Sequence, residues 1–594
     1  MVHEFHIPVM GLAYTIDSPV KVARFGISSV ISIIEDRLIE MMRKHYYTER
    51  NEPYEPISSK EEDYRARRIT DYLNLVNRIV QEQVEKLRTA AFEKGSEIVK
   101  YFEMLPDNSN VKLLYNQFNA ATRADARAAL EAKLRSLITP GAIDVNIMTK
   151  TDKNNYGPDG QPIEDGSDAV AALRGYANSD LTGSSIVFSA GMNPRLYSYL
   201  EKCRQFDADA NGVMQKKVIV KVSDYRSALI QGKFLAKKGI WVSEFRIESG
   251  LNCGGHAFAT DGVLMGPILE EFRTGKTGLT AALFQLYADA LGKRGAPVPA
   301  EAPPLLITAQ GGIGSHAEHQ MLREYYQLST TGWGTPFLLV PEATTVDADT
   351  LGHLAKAKAT DVVLSHSSPM GVRFHYLKGL SGEEERMRRF REGKPGSPCT
   401  EKHLSFNTEF TERPICTASI QYQRLKIDQL QKAQLPGNEY QAQLKMVLDK
   451  ECLCTGLSNS AAALYNTTLV KNQSAVTICP GPNIAFFNRE ASLQEMCDHI
   501  YGRGNLLSGT DRPHMFINEL RLYIAYLAEQ LQQCTGDKMM KQLEAFRENL
   551  GKGVSYYRQL HEAGIIAGER FGQLLNESES QIEALKDAAC VTTL

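Results

Sequence analysis

Apolar positions recur along this chain with two periods. Residues 7–33 (IPVMGLAYTIDSPVKVARFGISSVISI) hold a short apolar run ending in Met10-Gly11, a polar loop, and a second β-branched run from about Ile27. That pattern predicts two parallel strands joined by a helix. From about Glu35 to Leu134 the spacing lengthens to a helical period, with Ile69, Tyr72, Leu73, Val76, Val80, Val84 and Leu87 on one face, so the segment reads as a helical insertion. Strand texture returns at residues 142–150 (AIDVNIMTK), 184–194, 216–224 (KKVIVKVSD) and 239–250 (GIWVSEFRIESG), then at 305–314 (LLITAQGGIG) and 329–340 (STTGWGTPFLLV), with a helix from about His316 between the last two. About eight strand positions alternating with helices predict an α/β fold, a (β/α)8 barrel. The expected division is a barrel in two parts, residues 1–40 and 135–380, around an insertion at 41–134. Residues 381–594 follow as an extension, cysteine-containing at first and then helical from about Pro513 to Asp587.

Composition changes this picture little. The chain has 594 residues, 43% hydrophobic and 23% charged, with a formal net charge of -3. It builds no strong field, so neither nucleic acid nor an anionic membrane is an expected partner. The first residues (MVHEFHIPVMGLAY) lack a basic segment followed by a long apolar run, and no stretch is long enough to span a bilayer. A soluble, cytoplasmic protein is expected. Ten cysteines in such a chain read as reduced thiols or metal ligands rather than a disulfide framework.

Chemistry enters at the ends of the strands. Gln310, Gly311, Gly312 and Gly314 (QGGIG) follow an apolar run and open a helix, where successive backbone amides can face a phosphate. A second glycine-rich turn, with Gly334 and Thr335, ends the next strand, and a phosphate between the last two strand loops is a recurring barrel arrangement. Either turn alone also reads as a tight turn without a ligand. Lys221, at a strand end, reads either as a cation facing a reduced cofactor or as a solvated lysine.

The stretch QGGIG followed by GWGTPFLLVPEA resembles the C-terminal barrel signature of the nitronate monooxygenases (2-nitropropane dioxygenases) and the related FMN-dependent enoyl reductases. IESGLNCGGHAF is similar to the motif in which that family places its active-site histidine, which implies His256 as general base with Gly254 and Gly255 beside the cofactor. IPVMG resembles the first strand, where Met10 and Gly11 would approach the flavin, and Asn146 matches an asparagine near it. DVVLSHSSPMGVRF (361–374) is similar to the segment that closes the family's domain. The resemblance covers residues 1 to about 40 and 140–380 and departs at three places: Asn252 and Cys253 stand where an acidic residue and alanine are common, and Pro336 replaces an arginine. It implies FMN and a small nitronate-like or other carbon-acid substrate. An enoyl-thioester reductase using NAD(P)H is the rival enzyme, and a barrel that merely holds a ligand while its helices act as an interaction scaffold is the alternative of another class.

Cys399, Cys416, Cys452, Cys454 and Cys479 all sit beside Pro, Gly or Thr in turn-like sequence. Their irregular spacing disfavours a zinc ribbon and leaves two readings, ligands of an iron–sulfur cluster or free thiols. With a cluster, the protein would pass electrons between FMN and a partner, and the C-terminal helices would dock that partner or form a homo-oligomer.

Overall fold

Alternation within the strands decides what faces the barrel's interior. In Ile143–Ile147, Ile143, Val145 and Ile147 point one way and Asp144 and Asn146 the other, all five buried. The computed structural model of the protein describes residues 2–149, 152–157, 160–209, 212–254, 261–507, 509, 511–534 and 536–591. Eight parallel strands, β1 (Phe5–Ile7), β2 (Ser28–Ser32), β3 (Ile143–Ile147), β4 (Ser184–Phe188), β5 (Lys216–Val222), β6 (Val242–Glu248), β7 (Leu306–Gln310) and β8 (Thr330–Gly332), pair in chain order. The ring closes where β8 pairs with β1, giving a TIM barrel.

Helices follow the strands from well-capped starts. Ser167, Asp224 and Ser315 each accept a backbone N–H in the first turn of the helices Asp168–Ala177, Tyr225–Ala236 and His316–Glu324. Between β2 and β3 lie five helices, the longest Tyr64–Thr89; its apolar stripe from Ile69 to Leu87 is buried. The run ending in FLLV departs from the sequence expectation. Only Thr330–Gly332 is strand, and Thr335–Leu339 is a 3-10 turn with Pro336 in its first positions. Proline lacks the N–H a strand ladder needs and has the φ of a helical start.

Part of the barrel interior is polar, and its deeper layer is largely paired within itself, His6 Nε2 excepted. Arg246 donates to Glu244 (2.8 Å), Thr308 donates to the same carboxylate, and the Ser185 amide donates to Asp144 (2.8 Å). His6 Nδ1 and Thr330 Oγ1 lie 3.0 Å apart. Arg246 is 2% exposed and Glu244 6%. Burial is the main force on Asp144, pushing its pKa up to about 6 despite nearby Arg246.

After β8 the chain forms an antiparallel hairpin, β9 (Val362–Ser365) with β10 (Phe374–Leu377), then helices ending in Met515–Gln532, Asp537–Glu562 and Glu569–Val591. Leu453, Leu457, Ile478, Phe516 and Tyr557 belong to the same continuous core as Ile7, Ile147 and Ile247 of the barrel. The last third of the chain is therefore packed onto the barrel rather than tethered beside it. Among the described residues, no helix is long and apolar enough to cross a membrane.

Candidate active site

One step nearer the C-terminal ends of the strands, the polar layer changes character. Glu248, at the end of β6, accepts from Lys221 Nζ (3.0 Å), Asn252 Nδ2 (2.7 Å) and Gln310 Nε2 (2.7 Å). Asn146 Oδ1 and Gln310 Oε1 are buried with no hydrogen-bond partner. A buried carbonyl without a donor costs about 1–3 kcal/mol. Asn146 stands near the C-terminal end of β3 and Gln310 ends β7, where a bound donor would satisfy them.

Of these groups, all but Gln310 line a cavity of about 140 Å³. Asn146, Lys221, Glu248 and Asn252 form its polar side, and Val9, Gly11 and Leu12 bring in the chain after β1. Its roof comes from the chain after β8: Met370, Phe374, Leu404, Leu453 and Leu457. A polar edge opposite apolar faces suits a flat ligand with hydrogen-bonding groups on one side.

The structure brings several of the sequence-derived residues together. Gly254, at φ +75°, lies so close to the first strand's exit that a Cβ there would stand 2.2 Å from the Gly11 amide and 2.7 Å from Met10. A Cβ on Gly334 would meet Cys253 at 3.2 Å and the Met10 sulfur at 3.7 Å. Met10, Gly11, Gly254 and Gly334 thus form one tight junction where only glycine fits at Gly254. Lys221 is neither a solvated lysine nor a lone cation, since the charge of Glu248 already matches it. Gly255 and His256 lie outside the described residues.

The two glycine turns are partly engaged by the chain itself. Gly314 N donates to Glu318 (2.9 Å), whose burial would raise its pKa; Arg512, at 2.7 Å, and the Gly314 amide outweigh this and hold the carboxyl low. Arg512 also donates to Gly312 O and to Asn483, while Asn483 donates to Ile313 O. Thr335 Oγ1 donates to Pro480 O (2.6 Å), and Gly254 N to Cys479 O (3.0 Å). Residues 479–483 therefore run as a strap across the loops after β6, β7 and β8. The buried amides of Gly312 and Ile313 meet no acceptor among the described residues.

Of the five turn cysteines, four gather and one does not. Cys399 and Cys416 hydrogen-bond to each other, which favours the Cys399 thiolate, and Cys454 packs with them around Leu404 and Ala418. Cys452 lies near Cys399 and Cys454. Cys479 sits instead on the strap, where its carbonyl accepts from the buried Cys253 thiol at 3.2 Å.

Sequence reasoning missed His403. It comes from the extension and lines the cavity beside Leu404. Its Nε2 lies 3.0 Å from Glu35, just past β2, and its Nδ1 3.7 Å from Asp168. Burial alone would depress the pKa; the Asp168 and Glu35 carboxylates outweigh it and raise it to about 9. Nothing in GSPCTEKHLSF signals this, because both partners are more than 230 residues away in sequence.

No protein-family model matches the chain, and no curated protein sequence matches it. Among solved structures, the enoyl reductase domain of MlnA from the macrolactin biosynthesis cluster of Bacillus amyloliquefaciens is similar over 73% of this chain and 87% of its own, at 14% identity and a TM-score of 0.31. Nitroalkane oxidase from Streptomyces ansochromogenes is similar over 65% of this chain and 86% of its own, at 11% identity and a TM-score of 0.27. Scores this low transfer neither protein's activity.

Proposed function

We propose that this protein is an FMN-dependent oxidoreductase acting at carbon next to a nitro or carbonyl group. The observation that carries the reading is the pair of unpartnered carbonyl oxygens, Asn146 Oδ1 and Gln310 Oε1, buried at the mouth of a parallel barrel. A flavin ring has one edge that alternates C=O and N–H groups and two apolar faces, so it supplies the missing donor and suits the apolar roof. Asn146, Gln310 and Lys221 would hold that edge, and the backbone amides of Gly312 and Ile313 would take the phosphate. At about 140 Å³ the cavity holds a ring edge and not a whole cofactor. Sites for ligands of that size start near ~300 Å³, so loading FMN requires the roof or the strap to lift.

FMN supplies the two-electron redox chemistry when bound, and the protein supplies binding, orientation and electrostatics. Glu248 holds the Lys221 ammonium and the Gln310 and Asn252 amides through one carboxylate oxygen, which fixes their orientation when a ligand arrives. The residues of the roof exclude water from the reacting atoms.

The test is an absorbance spectrum of protein purified without air, with cofactor release and iron and sulfide analysis. Flavin bands with released FMN are the expected outcome; a colourless protein that fails to bind added FMN sinks the reading. Iron and sulfide in addition would turn the four gathered cysteines into an electron-transfer site. Turnover of a nitronate without a nicotinamide would place the enzyme with the nitronate oxidisers. Rapid anaerobic bleaching of the flavin by NADH or NADPH would place it with the enoyl-thioester reductases.

A further inference from the structure

Among the cysteines gathered beside the cavity, Cys399 is built unlike the rest. Ser397 N donates to Ala418 O (2.9 Å) and Ile420 N donates to Ser397 O (3.1 Å), so the chain before Cys399 runs beside residues 418–420. Gly396, at φ +81°, permits that approach, since a Cβ there would stand 2.7 Å from the Ser419 carbonyl. Asn407 and Ile415 exchange two backbone bonds (3.1 and 2.8 Å), which folds the segment between them back and sets Cys416 against Cys399. At Lys402 the chain turns through φ +58° and its amide donates to the Cys399 sulfur, while Ser405 Oγ lies 3.8 Å from the same atom. The Cys416 thiol, the Lys402 amide and the Ser405 hydroxyl thus surround one sulfur as donors to its thiolate. They outweigh burial, the Cys416 contact most, and hold the Cys399 thiol down at about 6. The same contact, with burial, pushes Cys416 up, and burial raises Cys203, Cys452, Cys454 and Cys497. Cys399 is partly exposed and Cys416 is buried behind it.

We propose that Cys399 and Cys416 form a reversible dithiol–disulfide pair, with Cys399 the nucleophile toward small disulfides and Cys416 the resolving thiol, and that their bond staples the segment 399–416 over the cavity. That segment carries His403 and Leu404 into the cavity lining, and Met370 and Cys454, also in the lining, pack against the same cluster. In the reaction the Cys399 thiolate attacks one sulfur of the small disulfide, whose S–S bond breaks and releases a thiolate that water protonates. The Cys416 sulfur then attacks Cys399 Sγ of the mixed disulfide, and its proton passes to the second leaving thiolate. Two cysteines are oxidised to one disulfide, and one small disulfide is reduced to two thiols. The electrons come from the pair itself, so the proposal goes beyond the oxidoreductase reading and does not need it. A covalent bond across the base of the segment restricts the lifting of the roof, because it removes conformations from the open state.

The test treats the reduced full-length protein with oxidised glutathione and maps its tryptic peptides without reductant. Trypsin cuts after Lys402 but not before Pro395 or Pro414, so Cys399 lies in peptide 392–402 and Cys416 in 403–424, while Cys452 and Cys454 share 451–471. The expected product joins 392–402 to 403–424 and separates on reduction. In Cys416→Ser, glutathione should stay on Cys399; in Cys399→Ser, Cys416 should remain a free thiol. A link to 451–471, two free thiols in the unaltered protein, or glutathione on Cys416 but not on Cys399 overturns the proposal. So do iron and sulfide in the purified protein, since a cluster would occupy these sulfurs. Brief labelling of the unaltered folded protein with iodoacetamide should modify Cys399 about tenfold or more faster than Cys452 or Cys454, and equal rates overturn its role as nucleophile. Native cleavage after the exposed Lys402 should slow by about threefold or more in the oxidised protein, as a protected local opening requires; an unchanged rate overturns the staple.

Discussion

Two layers of one barrel, a single pleat apart, are built from similar residues and behave differently. The deeper layer (Asp144, Glu244, Arg246, Thr308) spends its carboxylate and guanidinium groups on each other and on backbone. The upper layer (Asn146, Lys221, Glu248, Gln310) builds an equally good cluster on Glu248 and still leaves two carbonyl oxygens bare. Under the proposed function, the unmatched carbonyls of the upper layer are the ones a ligand would satisfy, and residue type alone does not tell the two layers apart.

The comparison is broken most directly in the deeper layer. Arg246→Met strands the buried Glu244 carboxylate and is expected to cost about 3–5 kcal/mol in urea denaturation, equally with and without added FMN. A loss that FMN repairs would make Arg246 part of the ligand site. Protonation separates the layers next, by up to about 3 kcal/mol for His403 at the rim. Its folded pKa, raised from 6.5 to about 9, gives stability that is complete below pH 6.5 and is lost as pH rises toward 9. Asp144, raised from 3.8 to about 6, gives stability lost between those two values. Denaturation followed against pH should show two falling limbs, the upper removed by His403→Gln and the lower by Asp144→Asn; a limb that survives its own substitution refutes its assignment.

The smallest effect on folding and the sharpest on function is expected from Asn146→Leu. Removing an unpaired buried carbonyl should leave the ligand-free protein as stable as before, while FMN affinity, measured by fluorescence quenching, drops by about 10- to 100-fold. If the ligand-free protein loses stability as Arg246→Met does, Oδ1 has a partner and the two layers are alike.

The strands were legible because each carries alternation or a continuous apolar run next to a turn. Thr330–Gly332 escaped because the apolar FLLV beyond it looks like strand until Pro336 is weighed. Lys221 and Gln310 could be found because they stand near strand ends, and Asn146 through the family resemblance. Glu248 could not be ranked among them: its importance comes from three donors on two strands and a loop, and cross-strand register is not written in any one segment. For the same reason the cysteines were only partly readable, since sequence spacing put Cys479 with Cys399 and Cys416 whereas the strap carries it to Cys253. His256 and Gly255 fall outside the described residues, so the motif that singled them out has no geometric counterpart.

The roof of the cavity has a consequence for how the molecule is made. Leu404, Leu453 and Leu457, and the strap at 479–483, leave the ribosome after β8 and long after Asn146. Synthesis completes the barrel while its mouth is still open, for domains fold from the N-terminus as they emerge. A cofactor too large for the finished cavity thus has a period, between the end of the barrel and the end of the chain, in which nothing covers its place.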